Sequence, residues 1–269
     1  MGIACLARFC YNVAMDIIAS AQNKTVKYIR GLHAKKGRDA DGVFLVEGVK
    51  FVAEITPPWE IEMVCVSQTY ARENDVTGFG GQICIVADRV FNTLCDASTP
   101  QGLLAVVKQH THSLDDIVCG ENPLIILLEN ISDPGNLGSI LRIAHGLGLS
   151  GVVLAGGADV FAPKVVRASA GSIFHVPFVM SAADVAIAAM QARGINVFAA
   201  AADGASPIYE ANFVRPSAII IGNEASGISA DVLALANKKV SIPVVSESLN
   251  ASVACGILAY EAKRQRKFQ

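Results

Sequence analysis

Short apolar runs alternate with segments of helical spacing along most of the chain. Val43–Val46, Ile61–Val66, Ile83–Val86 and Leu103–Val107 are compact and rich in β-branched residues, and they predict strands. Residues 22–34 fit an amphipathic helix with Val26 and Ile29 on one face, and further helices are predicted after Glu47 and after Asp88. Together these make a small α/β unit over residues 22–107, behind an N-terminal extension at 1–21. Residues 108–122 are polar and without period, and predict a linker. A second series fills 123–269. Leu124–Leu128, Val152–Leu154, Val197–Ala200, Ala218–Ile221 and Val240–Ile242 predict strands. A helix is expected from Asn136 to Gly148, where Ile140, Ile143, Ala144 and Leu147 form one stripe. Others are expected from Pro163 through Val166 and Ala170, over Ala182–Arg193, and from Ser248 toward Arg266. Repeated βα units imply a parallel sheet with helices on both faces.

Composition supports that picture. The 269 residues are 52% hydrophobic and 17% charged, which excludes a disordered chain. A mean hydropathy of +0.43 raises the question of a membrane, yet Asp184, Arg193 and Glu247 cut the best apolar runs below spanning length. The excess suits strands buried on both faces. The apolar N-terminus has no basic start and is interrupted by Arg8 and Asp16, so a signal peptide is not expected; Met15 offers an alternative start. A cytoplasmic protein follows. Seven cysteines form no CxxC pair, which predicts free buried thiols, with neither a disulfide framework nor a metal site. The net charge of −2 gives no global attraction for nucleic acid, but the cations are clustered. Lys24, Lys27, Arg30, Lys35, Lys36 and Arg38 lie close together without an acid, and Lys263, Arg264, Arg266 and Lys267 follow at the end. Each cluster is a solvated face or a phosphate contact.

Three polar segments interrupt the apolar pattern at strand ends, where ligands bind in open α/β sheets. The first is Glu129-Asn130-Ile131-Ser132-Asp133-Pro134-Gly135-Asn136, leading into a helix that carries Arg142. Asn136 reads as a helix cap, and free N–H groups there suit an anion. The second is Ile221-Gly222-Asn223-Glu224-Ala225-Ser226-Gly227; its carboxylate can receive a ribose hydroxyl or merely face solvent. The third runs from Ile242 through Leu249, Asn250 and Ser252, where cap chemistry alone would explain the polar residues. No GxGxxG, Walker A, GxSxG or HExxH pattern is present. The five histidines are scattered.

Order and spacing carry more than any segment alone. N-x-G-x-x-x-R at Asn136–Arg142, G-N-E-x-x-G at Gly222–Gly227 and I-P…S-L-N-x-S-V-A at Ile242–Ala254 resemble the three motifs of the SpoU/TrmH (SPOUT) family of RNA 2′-O-ribose methyltransferases. The stretch Pro163–Ser172 looks like that family as well. Gly42, Phe44, Leu45, Val46, Glu47 and Gly48 resemble its RNA-binding extension, a fold akin to a ribosomal protein. The resemblance implies a C-terminal trefoil knot, an exception to the usual topology rules. It implies S-adenosylmethionine held against Ile221, Gly222, Asn223, Ile242 and Leu249. It implies a homodimer through the last helix, with Val253, Ile257 and Leu258 on its apolar side. Arg142 takes the family's central role at the 2′-OH. Asn136 would position Arg142 or the ribose, Glu224 and Asn250 would orient backbone and substrate, and Ser252 would meet the target nucleotide. Lys24, Lys27, Arg30, Lys35, Lys36, Arg38 and Arg167 become RNA contacts, with ribosomal RNA the first expectation and transfer RNA the second. The rival readings are a non-catalytic RNA-binding module of the same fold and a nucleotide-dependent oxidoreductase, which would need the missing GxGxxG loop.

Overall fold

A computed structural model describes residues 16–201, 205–245 and 249–267. Cys5, Cys10, Met15, Glu247 and Ser248 fall outside the described residues, as does most of the N-terminal extension. The chain forms two sheets. The first contains β1 (Val43–Glu47), β2 (Ile61–Ser67), β3 (Gln82–Val86) and β4 (Leu103–Lys108), in the order β1-β4-β2-β3. β4 is antiparallel to β1 and β2, whereas β2 and β3 run parallel. The second contains β5 (Leu124–Glu129), β6 (Gly151–Ala155), β7 (Phe178–Met180), β8 (Asn196–Ala200), β9 (Ser206–Pro207), β10 (Ser217–Ile221) and β11 (Lys238–Ser241). Its order is β7-β6-β5-β10-β8-β11-β9, and every pairing is parallel.

The central strands β5, β6, β8 and β10 of the second sheet are apolar because both of their faces are covered. Leu124, Ile126, Leu128, Ile219 and Ile221 point into one core with the helices Pro134–Gly146, Pro163–Ser169 and Ala251–Gln265. Ile125, Leu127, Ala218 and Ile220 point into the other, against Ala183–Ala192 and Ala230–Leu235. The alternation of side chains across a strand splits one apolar run between two cores. The first core continues into the N-terminal half through Phe44, Val46, Trp59, Val64 and Leu103. Phe44 meets Phe161 at 5.0 Å between ring centroids, and Trp59 meets Phe174 edge-on at 5.4 Å. The Trp59 Nε1–H also donates to the Phe174 carbonyl at 3.1 Å. The two sheets therefore share one hydrophobic core.

Several expectations are corrected. The stretch 108–122 is not structureless: Leu114–Val118 is a helix that buries Ile117 and Val118, started by a capping box between Ser113 and Asp116. The basic segment holds two helices, Lys24–Gly31 and Lys35–Asp41, instead of one. Asn136 is not a cap; the helix begins at Pro134 behind Asp133, whose carboxylate accepts the Asn136 N–H at 2.9 Å. The final helix is capped by Asn250, two residues after the expected start. Leu258 is fully buried in its own core, while Val253 and Ile257 are exposed. Among the described residues no helix is long and apolar enough to cross a membrane, and no cluster of His, Cys, Asp and Glu could hold a metal.

Candidate functional site

Strand order places a switch point between β5 and β10. From β5 the chain builds β6 and β7 on one side; β10 separates β5 from β8 and the strands beyond it. Ligands in open parallel sheets bind at the carboxyl ends of strands beside such a point. The polar loops after β5 and β10 meet there and exchange hydrogen bonds. The Asn223 Nδ2 donates to the Asn130 carbonyl at 2.8 Å. Glu129, buried at the end of β5, accepts from the Ser229 N–H at 2.9 Å and hydroxyl at 2.6 Å. Glu224 reaches the other way and accepts from the Ser132 N–H and hydroxyl, the Asp133 N–H and the Asn136 Nδ2, at 3.1, 2.9, 3.2 and 2.8 Å.

Asn136 is the hub of this crevice. Its Nδ2 serves Glu224, and its Oδ1 accepts from the Asn250 Nδ2 at 2.9 Å. Asn250 in turn accepts at Oδ1 from the Ser252 N–H and hydroxyl at 2.9 and 2.7 Å, and from the Val253 N–H at 3.3 Å. One half-chain of hydrogen bonds thus ties all three motif segments together. Because Asp133 caps the helix, the Asn136 side chain is left available for this role. Burial pushes the Glu224 carboxyl up, but the bonds from Asn136 and from the backbone amides of Ser132, Glu224 itself and Asp133 outweigh it, leaving the pKa at about 2. Glu224 is a fixed anion whose acceptor positions are spent.

Arg142 is on the same helix but outside the network. Its side chain is exposed and makes no hydrogen bond or ion pair among the described residues, so Asn136 does not hold it. The loop after β10 is closed by paired bonds between Asn223 and Gly227 at 3.0 and 2.9 Å. A Cβ on Gly222 would lie 2.4 Å from the Gly227 backbone, so only glycine fits where the strand becomes the loop. β8, between β10 and β11, ends in Ala199 and Ala200. Ile242 and Leu249 are half-buried. Backbone polar groups together with such apolar side chains are what a nucleoside-bearing cofactor needs.

The expected RNA contacts divide. Lys24, Lys27, Arg30 and Lys36 are exposed, and Lys35 is exposed in an ion pair with Asp39 at 2.8 Å. Arg38 is a correction. It is buried, donates to the Leu32 and His33 carbonyls at 2.9 and 2.8 Å, and pairs with Asp159 at 2.6 Å. It joins the two halves and offers nothing to a phosphate. Arg266 is likewise buried, on the carbonyls of Phe213, Asn122, Pro123 and Arg215. Arg167 is half-exposed and paired with Asp96 at 2.7 Å. Glu129, Ser132 and Asp133 lie in the first polar segment but had no role of their own assigned, and Ser229 lies outside all three segments. Glu129 carried a signal, as a carboxylate closing a fully apolar strand.

The profile of the SpoU rRNA methylase family matches residues 123–260, and that of the MRM3-like substrate binding domain matches residues 23–105. The chain is 32% identical to the 23S rRNA (guanosine(2553)-2′-O)-methyltransferase RlmP of Bacillus subtilis, over 93% of this chain and 100% of the relative. It is 34% identical to the 23S rRNA (uridine(2479)-2′-O)-methyltransferase of Streptomyces viridochromogenes, over 85% of each. The AdoMet-bound rRNA methyltransferase of Sinorhizobium meliloti superposes with a TM-score of 0.84 at 30% identity, covering 92% of this chain and 97% of that one.

Proposed function

The chain belongs to the SpoU rRNA methylase family, and from that premise we propose that it methylates one ribose 2′-oxygen of 23S ribosomal RNA. It is an RNA 2′-O-methyltransferase that uses S-adenosylmethionine. The observation that carries the finer reading is the Asn136 hub, which joins the three motif segments at the switch point. Transfer RNA is the weaker alternative, since both curated relatives named above act on 23S rRNA.

Bound S-adenosylmethionine supplies a methyl group on a sulfonium, already a good electrophile. Gly222, Asn223, Ile221, Ile242 and Leu249 would hold it. The protein's remaining task is to align the 2′-oxygen and ease loss of its proton. Arg142 is the free cation on the crevice helix. A guanidinium stays charged, so Arg142 holds the neighbouring phosphate and polarises the hydroxyl without accepting its proton. Glu224 is no base either: a carboxyl with a pKa of about 2 is too weak at neutral pH, and its oxygens are occupied. The proton leaves to an RNA phosphate or to water. Asn136, Glu224, Asn250 and Ser252 act as positioning residues that fix the loops around the reacting groups.

The exposed Val253 and Ile257 on the last helix, with Tyr209 beside Ile208, form an apolar face that suits a two-fold homodimer. The strand order supports the trefoil knot, because the chain goes out to the far edge at β9 and returns to the interior for β10 and again for β11. A ribosomal RNA substrate fits a cytoplasmic protein. The experiment is transfer of labelled methyl from S-adenosylmethionine to purified 23S rRNA and to transfer RNA, followed by digestion. Label on one ribose 2′-oxygen of 23S rRNA is the expected result; label on a base, or on transfer RNA alone, overturns the reading.

A further inference from the structure

An open groove of about 700 Å³ follows the carboxyl edge of β5, β6 and β7. It is continuous with the crevice through Glu129 and Asn130 of the first polar segment, and its other walls lie outside the three segments. Its walls mix polar and apolar groups; Leu154 and Val160 are buried behind it, and Met180 is 58% exposed. Both carboxylates in the wall are engaged. Glu129 is held by Ser229, and Asp159 by Arg38 and the Phe161 N–H. Lys35 reaches the rim from the N-terminal half, already paired with Asp39. Asp159 and Lys35 have opposite charges beside them while Glu129 has only the neutral Ser229, so the groove suits a flat neutral group better than a phosphate.

Asn130 is the polar feature left over. Its backbone is left-handed, with φ 55°, a conformation that asparagine tolerates better than most residues. Its carbonyl is tied to Asn223, which fixes the loop. Its side-chain amide is exposed and makes no hydrogen bond among the described residues. The Oδ1 lies over Gly156, where a Cβ would come within 2.3 Å and displace it. An amide offers one acceptor and two donors, the complement of a nucleobase edge. Proteins that read RNA sequence do so on unstacked bases of single-stranded segments.

We propose that this groove receives one unstacked nucleobase of the substrate RNA, with the Asn130 amide on its hydrogen-bonding edge and Met180 against its face. The proposal rests on the reading of the protein as an RNA methyltransferase, and it names what would select the site. The test uses the full chain and the shortest 23S rRNA hairpin that the wild type binds. Asn130→Gly keeps the left-handed backbone and removes only the amide. Its affinity for the hairpin should fall about tenfold, the scale of one lost bidentate base contact. Hairpins with one nucleotide at a time made abasic locate the base. At one position the wild type should lose the same factor, and Asn130→Gly should lose nothing further. Wild-type affinity in Asn130→Gly, or a loss that persists on every abasic hairpin, overturns the proposal. Methyl transfer is read separately. A wild type that binds but methylates neither RNA would sink the methyltransferase reading, while the affinity comparison would still decide the groove.

Discussion

The crevice at the switch point and the seam between the two sheets lie in one fold and are held by opposite means. The seam is aromatic and dry, with Phe44, Trp59, Phe161, Phe174 and Phe178 packed into one cluster. The crevice is polar and open, and its order comes from hydrogen bonds among Asn130, Ser132, Asn136, Asn223, Glu224 and Asn250. Dispersion and burial at the seam are spread over many atoms. In the crevice each bond has a single donor and a single acceptor. Damage at the seam should therefore appear as lost stability, and damage in the crevice as lost chemistry in a folded protein.

The largest effect should come from the seam. Trp59 is nearly fully buried, touches Phe44, Phe174 and Phe178, and spends its N–H on Phe174. Trp59→Ala should cost about 3–5 kcal/mol, read from urea unfolding. The fraction still folded should transfer methyl at close to the wild-type rate. A stable Trp59→Ala with slow chemistry would mean that the seam sets the crevice geometry directly. Arg142→Ala is the counterpart. Turnover should fall by about a hundred- to a thousandfold, as when one transition-state donor is removed. Its urea midpoint and its S-adenosylmethionine affinity should stay at wild-type values, because Arg142 has no partner among the described residues to lose. Near-normal turnover would take Arg142 out of the mechanism.

A smaller effect sharpens the comparison through pH. The Glu224 pKa is depressed to about 2 in the folded protein, below the ordinary glutamate value. Its bonds therefore add stability above the unfolded pKa, and that contribution disappears as pH falls toward 2. Wild type should be more stable than Glu224→Gln at pH 6, with the difference in melting temperature closing in acid. A difference that stays constant to pH 2 would mean that the crevice does not depend on the charge. The seam's acid dependence falls in a different range: its phenylalanine and tryptophan side chains do not titrate, but burial holds His112, packed on Phe178, below the ordinary histidine value, so its cost appears as pH falls below about 6.5.

The fold was legible because its strands are buried on both faces and read as unbroken apolar runs. The exceptions are short or at edges: β7 has three residues and β9 two, too few to show a period. The motif residues were legible as a set, but their division of labour was not. Asn136 looked like a cap because an asparagine before an apolar stripe fits that pattern. Its true partners, Glu224 and Asn250, are 88 and 114 residues away, beyond any local pattern. Arg38 misled for the same reason. In the sequence it belongs to a run of cations, while its partner Asp159 lies 121 residues further on.

The two kinds of cation in the N-terminal stretch support the smallest and most selective test. Lys24, Lys27 and Lys36 are exposed and have no partner among the described residues, whereas Arg38 is walled in by carbonyls and Asp159. A phosphate contact releases counterions, so each lysine that grips RNA adds about 0.7–0.9 to the slope of log affinity against log salt. Replacing the three lysines with glutamine should flatten that slope by up to about 2 to 3 and leave the melting temperature near wild type. Arg38→Gln should do the reverse, lowering the melting temperature and sparing the slope, since its charge belongs to the seam. A flattened slope in Arg38→Gln, or an unchanged one in the triple variant, would show that exposure does not separate the cations that meet RNA from those that hold the fold.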